Sequence, residues 1–222
     1  MQNQTDTRLE TVVDSIKQDI IFGRLRPRER LVEDQLTERF GASRHQVRMA
    51  FATLEQMGLV MRRPNKGAMV RDFSVEEVEE IYEMRAMLQG QAAQRVPMPA
   101  PKDLLERLEQ IHEQYCAAAD EGALQRVCKL NNEFHREIFE ASNNQCLADM
   151  IERIWVQTLG IRCYAIGDSE LLARARREHG EMIELLRAGN REAFVELCVD
   201  HIWPALEAYK RAHGGWTLRK SA

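Results

Sequence analysis

Three runs of apolar residues at helical spacing, each closed by a glycine, fill the first sixty positions and commit them to helices with one buried face. Leu9, Val12, Val13, Ile16, Ile20 and Ile21 predict a helix over 7–22 with Gly23 behind it. Val32, Leu36 and Phe40 predict a short second helix stopped by Gly41, and Val47, Ala50, Phe51 and Leu54 a third stopped by Gly58. Ser43 precedes Gln46 by three residues, the spacing of a capping box, so the third helix opens there. Two short extended runs follow, LVMRR and AMVRDF, joined by the basic and turn-rich PNKG, which suits a small hairpin or wing. A helix, a glycine turn and a second helix that opens with polar and basic residues are the order of a helix-turn-helix.

The first turn of that last helix offers Arg44, His45, Gln46 and Arg48, donors of the kind that base edges and phosphates accept. The alternative is a solvated helix face. The formal charge of −4 conceals a split: residues 1–73 hold 13 Lys and Arg against 10 Asp and Glu, whereas residues 74–222 hold 18 against 25. Phosphates are contacted locally, so a basic segment joined to an acidic one can bind DNA through its basic face. The split also places a domain boundary near residue 73.

From Ser74 onward nearly everything reads as helix, with breaks at VPMPAPKD, near Gly122, at ASNNQ, at Gly167-Asp168 and at residues 188–190. About six helices and no convincing strand describe an all-α bundle. The fold class expected is therefore mainly α: a winged helix-turn-helix of three helices plus a small β wing over 1–73, then a helical bundle over 74–222. No stretch approaches the roughly 18 uncharged apolar residues of a spanning helix, and MQNQTDTRLE has no apolar leader, so no membrane partner is expected. The five cysteines, an odd number without a CxxC pair, read as reduced thiols and a cytoplasmic setting.

The bundle stripes contain polar residues where oil is expected. Asn131 and His135, four apart, share the stripe of Leu124, Val127, Cys128, Phe134 and Ile138. His179 interrupts Leu172, Ala175, Met182, Ile183 and Leu186; His201 sits among Leu197, Cys198 and Ala205 of the last helix; Arg85 lies among Val78, Ile81, Tyr82 and Leu88. Each buried unpaired polar group costs roughly 1–3 kcal/mol, so several together need a partner. Hydrogen bonds within a polar core are one answer. A divalent ion ligated by all three imidazoles is another.

Two resemblances add to these readings. The run RLVEDQLTERFGASRHQVRMAFATLEQMGLVMRRPNKGAMV resembles the winged helix of the GntR family of bacterial transcription regulators, through Leu36, Gly41, Ser43-Arg44, Val47-Arg48, Leu54, Gly58-Leu59 and Lys66-Gly67. That resemblance implies operator contacts from Arg44 and Arg48 and a wing tip at Lys66 and Gly67, with Gly67 entering the minor groove; His45-Gln46 stands where many relatives have Thr-Pro. NNEFHREIFEASNN, EHGEMIELLRAGNREAF and DHI are similar to the ligand-binding domain of the family's FadR-type branch. This implies a metal, often zinc or nickel, held by an Asp and three His. The histidines match His135, His179 and His201, and the Asp position falls on Asn131, whose amide oxygen can coordinate but carries no charge.

The expectation is a metabolite-responsive regulator of the repressor type that binds a palindromic operator as a homodimer and senses a small organic acid at the metal. Arg85 is placed to pair with the acid's carboxylate, and Arg162, with Thr158 and Tyr164 near it in sequence, is a further candidate for the cavity wall. One rival is an enzyme that activates water on the three-histidine metal. It lacks an obvious base, because Glu133 and Glu178 neighbour the histidines in sequence and are expected to face elsewhere. The other rival keeps DNA binding and makes the bundle a dimerisation module.

Overall fold

A computed structural model describes residues 2–63 and 67–213. They form α1 (Gln2–Ile21), β1 (Arg30–Leu31), α2 (Glu33–Phe40), α3 (Arg44–Gln56), β2 (Val60–Arg63) and β3 (Gly67–Val70). Then come α4 (Val75–Arg95), α5 (Lys102–Asp120), α6 (Leu124–Glu140), α7 (Gln145–Gln157), α8 (Leu159–Ile166), α9 (Ser169–Ala188), α10 (Arg191–Asp200) and α11 (Trp203–His213). The chain divides into two compact units, Met1–Ser74 with Val156–Gly160, and Val75–Trp155 with Ile161–Ala222.

In the first unit the glycine stops act as expected. Gly41 ends α2 at φ 56° and Gly58 follows α3 at φ 73°, both in the left-handed region that a side chain resists. Ser43 and Gln46 close a capping box: the Ser43 hydroxyl accepts from the Gln46 amide at 3.2 Å, and the Gln46 carbonyl oxygen accepts from the Ser43 amide at 2.9 Å. Val12, Ile16, Leu36, Val47, Phe51 and Leu54 meet in a dry core that the sheet covers with Ala68 and Val70. The wing has one strand more than expected. β1 pairs with β3, giving the order β1-β3-β2, antiparallel throughout, with Met61 opposite Met69. A two-residue strand is too short to show alternation, which is why RERL reads as a plain connection.

Among the described residues of this unit, the buried ionised group is Asp19, near the end of α1. Its carboxylate takes Arg24 Nε at 2.5 Å and Arg39 Nη1 at 2.6 Å, tying α1 to α2. Burial pushes its pKa up, but the hydrogen bonds from Arg39 and Arg24 outweigh burial and hold it below the usual carboxylate range.

The second unit holds eight helices among the described residues, against about six expected. Every expected break is present, and Asp168 and Asn190 cap α9 and α10. Two further breaks divide what reads as continuous helix. One is at Thr158, just ahead of Gly160. The other, at His201-Ile202, precedes Pro204, which lacks an N–H and is tolerated only in the first turn of α11. His201 therefore lies in a turn after α10 and not within a long last helix. The unit's core joins Leu104 and Leu108 of α5, Phe134 and Ile138 of α6, Met182 and Leu186 of α9, and Phe194 of α10.

Candidate DNA interface and candidate metal centre

The opening turn of α3 presents its basic residues outward. Arg44, His45 and Arg48 are exposed, and Val47, Ala50 and Phe51 on the opposite face anchor the helix in the core. Arg44 Nη2 lies 3.0 Å from Asp34, and Arg48 Nε lies 3.1 and 3.0 Å from the two oxygens of Glu33. The first turn of α2 thus holds both guanidinium groups with carboxylates that a phosphate can replace. Gln46 is half-buried, and its carbonyl oxygen is committed to the cap. Gly67 opens β3 at φ 75°, and a Cβ there would come 3.1 Å from the Leu31 carbonyl oxygen, so only glycine fits without strain. Lys66 lies outside the described residues.

In the second unit α6, α9 and the turn after α10 bring His135, His179 and His201 together, with ligand nitrogens all within 4.8 Å of one another. His135 Nε2 is 3.2 Å from His201 Nε2 and 3.3 Å from His179 Nε2. A ring nitrogen carries either one proton or one lone pair, so His135 Nε2 can make a hydrogen bond to only one of these neighbours at a time. A cation accepts all three lone pairs at once, and neutral imidazole is what it needs. Burial, followed by the neighbouring charges, pushes the pKa of His135 and His179 well below the usual imidazole value. Phe134 stacks on His179 at 4.4 Å between ring centroids and Trp155 meets His135 edge-on at 5.8 Å, so aromatic rings pack against two of the three imidazoles. Asn131 lines the same cavity. The donor set fits a divalent transition metal.

Arg85 lines this cavity and is only 5% exposed. Its guanidinium lies 4.4 Å over the Tyr82 ring, and its Nε and Nη1 have no hydrogen-bond partner among the described residues. Burial, the largest influence, brings its pKa down to about 10, so it stays charged at neutral pH. Arg162 lines the cavity too and donates to Asn132 Oδ1 at 2.8 Å. Thr158 is buried but belongs with the first unit, and the side chain of Tyr164 lies outside the described residues.

Residues 8–70 match the bacterial regulatory proteins of the gntR family, and residues 80–203 match the FCD domain. The chain belongs to the GntR family. This GntR-family chain is 29% identical over 212 residues to the HTH-type transcriptional regulator McbR of Escherichia coli strain K12, covering 90% of this chain and 93% of that one. It is 28% identical over 189 residues to the HTH-type transcriptional regulator YdhC of Bacillus subtilis strain 168, covering 85% and 84%. A solved GntR structure from Rhodococcus sp. RHA1 shares the fold at a TM-score of 0.77 and 23% identity, over 93% of this chain and 99% of that one. The chain is thus a DNA-binding transcription regulator with a winged helix-turn-helix and an all-helical FCD domain. No helix among its described residues is long and apolar enough to cross a membrane.

One residue of this GntR-family site runs against the sequence reading. Glu178, expected to face away, lines the cavity, and its Oε2 lies 2.6 Å from His201 Nδ1. The 100° offset from His179 holds for the Cα–Cβ directions, but a glutamate side chain is long and His201 comes to it from the turn after α10. Burial raises the Glu178 pKa, yet the hydrogen bonds from His201 and Arg174 outweigh burial and keep the carboxyl below its usual range. The only signal in the sequence is the adjacency Glu178-His179.

Proposed function

We propose that this regulator is a metabolite-responsive repressor whose helical domain binds a small carboxylate at a metal held by His135, His179 and His201, with the Asn131 amide oxygen as a neutral fourth donor. A metal bound there supplies a Lewis-acid site with room for an anionic ligand. The observation that carries the reading is Arg85: a buried guanidinium, unanswered by any carboxylate among the described residues, faces the same cavity as three converging imidazoles. A bidentate carboxylate satisfies it, and Arg162 is placed to take a second anionic group. Domain 1–73 then reads the operator through Arg44, His45, Gln46, Arg48, Lys66 and Gly67, and domain 74–222 senses and dimerises. A homodimer pairs with a palindromic operator because its two-fold axis matches that of the half-sites.

We read the site as a sensor's and not a hydrolase's because its acidic wall residue, Glu178, is occupied by His201 and Arg174 and so is a poor base. The effector changes DNA affinity only if it binds the two DNA-binding states unequally. The test is a melting screen of small mono- and dicarboxylates with zinc or nickel present, followed by operator anisotropy for those that stabilise. A carboxylate that raises the melting temperature of wild type but not of Arg85→Met supports the reading. Equal stabilisation of both proteins contradicts it.

A further inference from the structure

Among the described residues lining the cavity, the charged side chains are Arg85, Arg162, Arg174 and Glu178. A divalent cation added to three neutral imidazoles and the uncharged Asn131 amide enters a cavity wall that already carries more positive charge than negative. Some anion must offset it, and Glu178 is the one acidic group on that wall among the described residues. It touches the site from behind: its Oε2 meets the far nitrogen of His201, Nδ1, while His201 Nε2 turns toward His135. An acceptor at Nδ1 fixes the proton there and leaves the lone pair on Nε2 for the cation. The carboxylate's other oxygen accepts from Arg174 Nε at 2.5 Å, so both of its oxygens are engaged.

We infer that Glu178 is the positioning and charge-compensating residue of the cation site, supplying through His201 the negative charge that the amide at Asn131 does not. This rests on the metal reading given above. A carboxylate that only orients His201 differs from one that also supplies charge, and Gln separates the two because its amide oxygen still accepts from Nδ1–H.

The experiment is competitive zinc and nickel titration of the full chain against a chromophoric chelator, with melting of the metal-free proteins beside it. Glu178→Gln lowers metal affinity by about 10–100-fold while the metal-free protein melts near wild type. Adding Asn131→Asp to Glu178→Gln restores most of that loss, since it returns one negative charge at the metal itself. Arg174→Gln, which removes only the outer partner, stays close to wild type. Glu178→Asp, one methylene shorter, keeps the charge but loses the 2.6 Å contact and binds more weakly; it carries the test if Glu178→Gln does not fold. Wild-type binding with unchanged affinity in Glu178→Gln or, failing that, in Glu178→Asp overturns the inference and leaves the metal site standing. So does a loss that Asn131→Asp does not repair, since a negative charge at the metal then does not stand in for the one removed. Wild-type protein that binds neither metal overturns both readings.

Discussion

Both units bury charge, but only one answers it from within. In the winged unit Asp19 is enclosed by Arg24 and Arg39, and the remaining core is apolar. In the helical unit Arg85 has two guanidinium nitrogens without a partner, and three imidazole nitrogens crowd together without enough protons to satisfy every contact. A buried ion with its counter-ions is a structural joint. A buried ion without them costs stability, and its persistence points to a partner from outside the chain. The same contrast separates the arginines: the exposed Arg44 and Arg48 rest on carboxylates that a phosphate can replace, whereas Arg85 has no carboxylate to exchange among the described residues.

The contrast breaks most visibly at Asp19. Asp19→Ala removes two hydrogen bonds to charged groups, each contributing about 1.5–3 kcal/mol, and is expected to cost about 3 kcal/mol in urea denaturation, a loss kept moderate because the half-exposed Arg24 and Arg39 side chains regain water. Its folded-state pKa is depressed, so its stabilisation is present above the ordinary carboxyl pKa of about 3.9 and is lost as pH falls below that. Wild type should therefore lose stability at acid pH more steeply than Asp19→Ala. Equal slopes would remove Asp19 from the account.

Next in size are the exposed arginines. Arg44→Ala and Arg48→Ala are each expected to lose about 1–3 kcal/mol of operator affinity in an anisotropy titration, with a flatter salt dependence where the contact is to phosphate. Their melting temperatures should barely move, since the pairs with Asp34 and Glu33 have 66% and 64% exposed arginine side chains and surface pairs contribute little. Unchanged affinity would place the DNA surface elsewhere.

The smallest expected stability change is the most informative. Arg85→Met replaces an unanswered buried charge with apolar volume, so stability should hold or rise, unlike Asp19→Ala. Metal content and operator binding should persist, and the effector response should vanish. Arg85→Lys should restore it only in part, lacking the planar fork. A mutant that melts many degrees lower yet still responds would make Arg85 a structural partner.

Most helices were legible from apolar spacing and glycine stops, because those signals are local. What was not legible involves groups that meet through the fold. His201 reads as helical because Leu197, Cys198 and Ala205 keep the period across 201–202, and only Pro204 marks the break. Glu178 was misplaced because its partner lies 23 residues away on another element. The three histidines could be suspected from their inward positions, but their convergence to hydrogen-bond distance depends on how α6, α9 and the turn after α10 pack.

The central claim is that the three imidazoles are a cation site and not a polar core. The direct measurement is elemental analysis of full-length protein purified without a histidine tag, incubated with zinc or nickel and desalted. The account predicts about one metal per chain in wild type and near none in His135→Ala, His179→Ala and His201→Ala, each still folded. Wild-type protein that retains no metal, or single alanine variants that retain as much as wild type, would contradict it.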